Sequence, residues 1–144
     1  MSQKILITGA TGGIGKAIAI AFIKNGDEVC ISSTNEEKLQ ALKQEIGAKD
    51  YVVCNLTNSS EVENLAKIAN EKLGGLDVVV CNAGITNDKL SIKMSEEDFA
   101  SVIDINLKAN FLINKAASLI MAKIDMDASL IWRLSLGKLA TLVR

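Results

Sequence analysis

Short apolar runs alternate along this chain with stretches of helical period, regularly enough to predict the order of its elements. The runs KILIT, EVCISS, YVVC and DVVVC, at 4–8, 28–33, 51–54 and 77–81, are short and nearly continuous in apolar residues. That pattern suits strands buried on both faces. Between them the apolar positions recur every three or four residues. One helix is predicted over 13–25 with Gly26 closing it, and a second from the N-cap Asn35 to Ile46 with Gly47 as the stop. Asn caps helix starts, and Gly takes the left-handed conformation that ends them. A third helix starts near Asn58, carries the stripe Val62, Leu65, Ile68, Ala69 and Leu73, and ends at Gly74-Gly75. Ser95-Glu96-Glu97-Asp98 opens a further helix as a capping box, with Asp where Glu or Gln is usual. A long helix follows over about 106–121.

This beat of strand and helix predicts an α/β fold with a parallel sheet and helices on both faces. The 144 residues fit one domain, and no repeat, low-complexity tract or internal linker divides them. The segment 82–94 is the one long connection. In open parallel sheets, ligands sit in such loops at the carboxyl ends of strands.

Composition mainly excludes. With 49% hydrophobic residues, 23% charged residues and a formal charge of −1, the chain lacks the basic excess of a nucleic-acid binder. It contains no His, the commonest general base and metal ligand. Cys30, Cys54 and Cys81 lie in strand-like runs without redox or zinc spacing, so buried reduced thiols and no metal site are expected. No stretch approaches the ~20 apolar residues of a membrane span, and the run in MSQKILITG is too short for a signal peptide. The expectation is a cytoplasmic protein without nucleic-acid or membrane partners.

The candidate chemistry begins where the first strand meets glycines. Gly9-Ala10-Thr11-Gly12-Gly13-Ile14-Gly15 joins a strand to an amphipathic helix. Unpaired amides at a helix N-terminus and the helix dipole both favour an anion, and glycine lets a pyrophosphate approach the backbone. In this context the turn reads as a dinucleotide cradle.

The spacing T-G-x-x-x-G-x-G, in place of G-x-G-x-x-G, resembles that of the short-chain dehydrogenase/reductase family. Asn82-Ala83-Gly84 resembles the family's N-A-G motif, and Leu76-Asp77 sits ahead of it as the family's G-x-L-D does. The string NAGITNDKLSIKMSEEDFASVIDINL looks like the bacterial 3-oxoacyl-(acyl-carrier-protein) reductases, and the likeness covers about residues 3–117. It implies a Rossmann-like three-layer fold, cut short here. Asn82, Ala83 and Gly84 would support the sheet beside the adenosine half of the cofactor, and Asn55-Leu56 would contact adenine. Asn106 would be the helix-kinking Asn that positions a water in the proton relay to a catalytic Lys and Tyr. About 20 residues after the glycines, an acid would accept from the ribose of NAD. Ser32-Ser33-Thr34 stand there, and Glu36 and Glu37 come later. Ser33 and Thr34 therefore leave room for the 2′-phosphate of NADP(H), with Lys16 or Lys38 as cations that approach it.

The likeness breaks beyond Lys123. The family's Tyr-x-x-x-Lys occurs nowhere in the chain, and the final residues read IDMDASLIWRLSLGKLATLVR. Ser135 falls near the expected distance for a catalytic Ser, by coincidence. Joining the last base of each codon to the first two of the next turns allowed codons for residues 124–144 into RYGRVINMASVVGEAGNPGQ, which resembles the reductases' fifth strand and serine loop. Residues 1–122 then form a dinucleotide-binding domain, and 123–144 an aberrant tail from a frameshift near Ala122 or Lys123. A less favoured reading makes the tail a basic amphipathic helix for a partner or membrane.

The resemblance implies NADPH-dependent reduction of 3-oxoacyl thioesters on acyl-carrier protein, in fatty-acid synthesis, by a chain that is catalytically incomplete. Family members pair through their long helices. A homo-oligomer is doubtful for the truncated chain, which would expose apolar surface around Phe111, Leu112 and Ile120. The alternatives are a non-catalytic nucleotide- or subunit-binding protein, or a short-chain reductase of another substrate.

Overall fold

The computed structural model describes residues 1–122, 130–134 and 139–143. The elements alternate as expected: β1 (Lys4–Thr8), α1 (Gly13–Lys24), β2 (Glu28–Ser33), α2 (Glu36–Ile46), β3 (Asp50–Val53), α3 (Ser59–Leu73) and β4 (Val78–Val80). A 3-10 turn at Ser91–Lys93 precedes α4 (Glu96–Ile103), α5 (Ala109–Met121), β5 (Leu130–Leu134) and β6 (Leu139–Val143). The sheet order is β3-β2-β1-β4-β5-β6. The first five strands run parallel, and β6 returns antiparallel to β5.

Alternation along the strands builds two cores. Leu6, Cys30, Val52, Val79 and Cys81 face α3 and α5, while Ile5, Ile7, Val29, Ile31, Val78 and Val80 face α1 and α2. Successive side chains point to opposite faces of a strand, so a strand covered on both sides must be apolar at every position. Two aspartates staple the start of β1 into this arrangement. The Gln3 amide donates to Asp27 Oδ1 at 2.9 Å, and the Lys4 amide donates to Asp77 Oδ2 at 2.8 Å.

Local signals held at the helix ends. Asn35 Oδ1 accepts from the Lys38 amide, Asn58 Oδ1 accepts from the Ser60 and Glu61 amides, and Gly47 and Gly74 close α2 and α3 with φ of 73° and 68°. Ser95 and Asp98 form the complete reciprocal capping box. The first helix stops at Lys24 with Asn25 as its cap, one residue short of expectation, and Gly26 takes the positive φ of 90° beyond it.

Two expectations need correction. The helix over 106–121 is not a separate element: α4 passes into α5 through a π turn at Asp104–Lys108 with Asn106 inside it. Its backbone stays helical across the junction, so periodicity alone places no boundary there. The less favoured of the two tail readings, a helix, is the second: where the tail is described, Leu130–Leu134 and Leu139–Val143 are strands. Ser135 lies outside the described residues, as does the connection 123–129. No helix among the described residues is long and apolar enough to cross a membrane.

Candidate dinucleotide-binding site

A cleft of about 440 Å³ opens at the carboxyl ends of β1, β2 and β4. Its lining includes Gly9, Thr11, Gly12, Gly13, Ile14, Gly15, Ser33, Thr34, Asn55, Leu56, Asn82, Ala83 and Gly84. These residues come from four separate stretches of sequence, and parallel strands bring them together because every strand ends on the same side of the sheet.

The cradle is built by close approach. Gly9 has φ of 63°, and a Cβ there would lie 2.7 Å from Ala83 Cα. A Cβ on Gly15 would collide with the Gly9 carbonyl and lie 2.7 Å from Asn82 Nδ2. Gly13 differs, since nothing among the described residues lies within 4 Å of where its Cβ would stand. Its missing side chain therefore leaves room in the cleft rather than in the fold.

Helix α1 starts over this space without a side-chain cap and with no acid in its first turn. By contrast, α2 and α3 are capped by Asn35 and Asn58 and carry Glu36, Glu37 and Glu61 in their first turns. Free helix N-terminal amides without a nearby carboxylate suit an anion. The residues present thus fit the pyrophosphate of a dinucleotide.

Asn82 locks the far wall. Its Nδ2 donates to the carbonyl oxygens of Thr8 at 3.2 Å and Gly9 at 3.1 Å. The Asn82 and Ala83 amides each donate to Thr8 Oγ1 at 3.1 Å. Thr8, only 1% exposed, is therefore the organiser that sequence reasoning left out of the site, although it stands inside the recognised glycine motif. Ser32 lines the cleft beside Ser33 and Thr34; Cys54, Ile85 and Ile105 also line it, and nothing in their spacing announced it.

Two sequence-predicted residues are not in the lining. Ala10 is fully buried in the core against the α1–α2 face, and its amide donates to the Ser32 carbonyl at 3.2 Å. It supports the turn from behind because the chain must dive into the sheet between Gly9 and Gly12. Asn106 is 2% exposed and works one layer back: its Oδ1 accepts from the Ile85 amide at 2.9 Å, and its Nδ2 donates to the Ile85 carbonyl at 2.8 Å. Lys16 is also placed otherwise than expected, since its Nζ meets Glu45 Oε1 of α2 at 2.6 Å. At the end of the cleft beside β3, Asn55 Oδ1 accepts from the Thr57 amide and hydroxyl at 3.1 and 2.9 Å, which fixes the turn after that strand.

Beyond Ile85, the loop toward α4 is pinned by Asp98. Lys89 Nζ donates to its carboxylate at 2.6 Å, Asn87 Nδ2 at 2.9 Å and the Ser95 amide at 3.0 Å. Lys89 first, then the Ser95 amide and Asn87, hold the carboxyl well below the usual carboxylate range. Farther along, the α5 side chains Asn110 and Asn114 are 2% and 4% exposed, and their Oδ1 atoms have no partner among the described residues. An unsatisfied buried acceptor costs ~1–3 kcal/mol.

The three cysteines are free and buried. Burial pushes the Cys30 and Cys81 thiols up to about 12 and Cys54 to about 11. Unfolded thiols ionise near ~8.5, so this contribution to stability is complete below that pH and is lost as pH rises toward the folded values. Iodoacetamide at pH ~8.5 is expected to label none of the thiols in the folded chain and all of them in denaturant, because only an exposed thiolate reacts. Labelling of the native chain at the free-thiol rate would contradict the burial.

The sheet order, the helices on both faces and the glycine turn beneath an uncapped helix define an α/β protein with a Rossmann-like parallel sheet. The family model described as short chain dehydrogenase matches residues 3–129. A 3-oxoacyl-(acyl-carrier-protein) reductase FabG from Rickettsia bellii is 53% identical over 116 residues, covering 80% of this chain and 46% of the relative. The 3-oxoacyl-(acyl-carrier-protein) reductase of Synechocystis is 40% identical over 127 residues, covering 85% and 51%. A crystal structure of a short-chain type dehydrogenase/reductase from Mycobacterium marinum superposes with a TM-score of 0.82 at 32% identity, over 89% of this chain and 53% of that one. The chain belongs to the short-chain dehydrogenase/reductase family of oxidoreductases. It spans about half the length of the curated relatives it matches.

Proposed function

We propose that residues 1–122 are the NADP(H)-binding part of a reductase of 3-oxoacyl thioesters carried on acyl-carrier protein, working in cytoplasmic fatty-acid synthesis. The uncapped start of α1 above Gly13, with its open space, carries this reading, together with the 53% identity to a reductase of that name. The amides of the first turn of α1 bind the pyrophosphate, and Asn55 and Leu56 face adenine. The bound nicotinamide supplies the hydride for ketone reduction. Asn82 and Thr8 hold the strand ends that wall the site, and Asn106 fixes Ile85 at its margin. In the family, Asn106 also positions a water on the path of the proton. The tyrosine, lysine and serine of that path are missing from the chain as written, which is therefore catalytically incomplete, with residues 123–144 as an out-of-frame tail.

Ser33 and Thr34 support NADPH over NADH. Both line the cleft where an acid would repel a 2′-phosphate. With Lys16 held by Glu45, hydroxyls and backbone do this binding, with Lys38 the remaining candidate cation. Fluorescence titration is expected to show tighter binding of NADPH than of NADH, and Ser33→Asp is expected to reverse the order. Tighter NADH binding by the unaltered chain would overturn the assignment.

Phe99, Leu107 and Phe111 are 58%, 47% and 55% exposed along α4, the π turn and α5. They support pairing with a second copy in the family manner. Leu112 and Ile120 are instead partly buried against the core, so the open apolar surface lies at Phe99, Leu107, Phe111 and Leu119 rather than around those two residues.

A further inference from the structure

We propose that Asn110 is a positioning residue for the Ile85 wall of the dinucleotide cleft, a role that rests on the reductase reading above. Asn110 Nδ2 donates to the Asn106 carbonyl at 2.7 Å, and Asn114 Nδ2 donates to the Asn110 carbonyl, also at 2.7 Å. The three asparagines stand four residues apart and form one ladder of side-chain amides along a helix face.

The top of the ladder sits where the helix is weakest. In the π turn, the Ala109 amide reaches back five residues to the Asp104 carbonyl, so the regular i to i−4 ladder is interrupted around Asn106. A π turn has more than one hydrogen-bonding arrangement within reach. The Asn110 grip on the Asn106 carbonyl selects one of them. Asn106 then presents both ends of its amide to Ile85, accepting from its N–H and donating to its C=O. Ile85 belongs to two hollows, the dinucleotide cleft and a smaller one lined by Thr86, Met94 and Phe99. Its backbone position therefore sets the wall between them.

The unpartnered oxygens argue in the same direction. Asn110 Oδ1 is buried without a hydrogen bond among the described residues, and an apolar side chain there would avoid that cost. The Nδ2 donor is the half of the amide that the site uses.

The test compares Asn110→Ala with Asn110→Ser in the 144-residue chain. Both remove a similar volume, but a serine hydroxyl can donate to the carbonyl four residues back in a helix. The expected result is a loss of Ile85 amide exchange protection of about tenfold or more in the Ala variant, with NADPH affinity falling several-fold. The Ser variant is expected to stay near the unaltered chain in both readouts at a similar thermal midpoint. Equal Ile85 protection in the folded Ala and Ser variants would overturn the proposal. Exchange of the Asn110 side-chain amide is measured in the unaltered chain as well: slow exchange supports the grip and solvent-like exchange overturns it, whether or not the variants fold. Absence of any NADPH binding by the unaltered chain refutes the reductase reading, while the Ile85 exchange still decides the clamp.

Discussion

Gly13→Val is expected to reduce dinucleotide affinity by two orders of magnitude or more while leaving the far-UV spectrum and thermal midpoint nearly unchanged. Gly15→Ala is expected to do the reverse, damaging the fold itself. The two glycines are two residues apart on the first turn of one helix, yet their surroundings differ. A Cβ at Gly13 meets no atom of the described residues within 4 Å, so the isopropyl group of valine fills the space above the helix amides. The backbone can then no longer approach an anion, and the pyrophosphate loses its hydrogen bonds together with the helix dipole. At Gly15 even one methyl collides with the Gly9 carbonyl and comes within 2.8 Å of Ala10 Cα. These contacts are mainly backbone, which cannot rotate away, and overpacking of this kind typically costs ~1–3 kcal/mol or more. Isothermal titration with NADPH beside thermal melts separates the two outcomes. Normal binding by Gly13→Val would place the cofactor elsewhere, and an undisturbed Gly15→Ala would mean that the turn is looser than its geometry.

The largest change in activity is expected from the gene rather than from any single residue. With an acetoacetyl thioester and NADPH, the 144-residue chain is expected to show no turnover. A version with the reading frame restored after Ala122 is expected to show robust turnover and to assemble through the helices that carry Phe99, Leu107 and Phe111. The shifted codons of 124–144 motivate this, because they spell a strand and serine loop like those of the reductases and lead toward the absent tyrosine and lysine. A positioned general acid typically contributes 10²–10⁴-fold, and orientation of the ketone adds more. Turnover by the unaltered chain at the restored chain's rate would sink the expectation. A restored chain that folds, assembles and remains inactive would undermine the lineage behind it. Asn106→Ala sharpens the comparison: in the restored protein it should lower kcat far more than it weakens NADPH binding, since Asn106 lies outside the cleft lining and acts on Ile85.

The alternating elements, the helix caps and the glycine turn were legible along the chain because their causes are local. A strand covered on both faces must be apolar throughout. Asn35 and Asn58 reach amides two or three residues ahead, and Gly47 and Gly74 answer a positive φ at a single position. Gly13 and Gly15 were legible for the same reason, although sequence could not say that a side chain would stand in open space at the first and against the Gly9 carbonyl at the second.

What the tertiary structure decided involves partners that no spacing announces. Thr8 became an organiser because Asn82, 74 residues later, turns its amide onto its hydroxyl. Asn106 left the cleft lining because the loop after β4 folded over it, and Lys16 turned from the expected phosphate to Glu45 on the neighbouring helix. Ala10 fell behind the turn, where the Ser32 carbonyl of an adjacent strand accepts its amide. Sequence determined which residues form strands, helices and turns, since those choices depend on neighbours a few positions away. The choice of β1 as the strand between β2 and β4, and hence which strand ends meet at the cleft, belongs to the packing of the whole sheet.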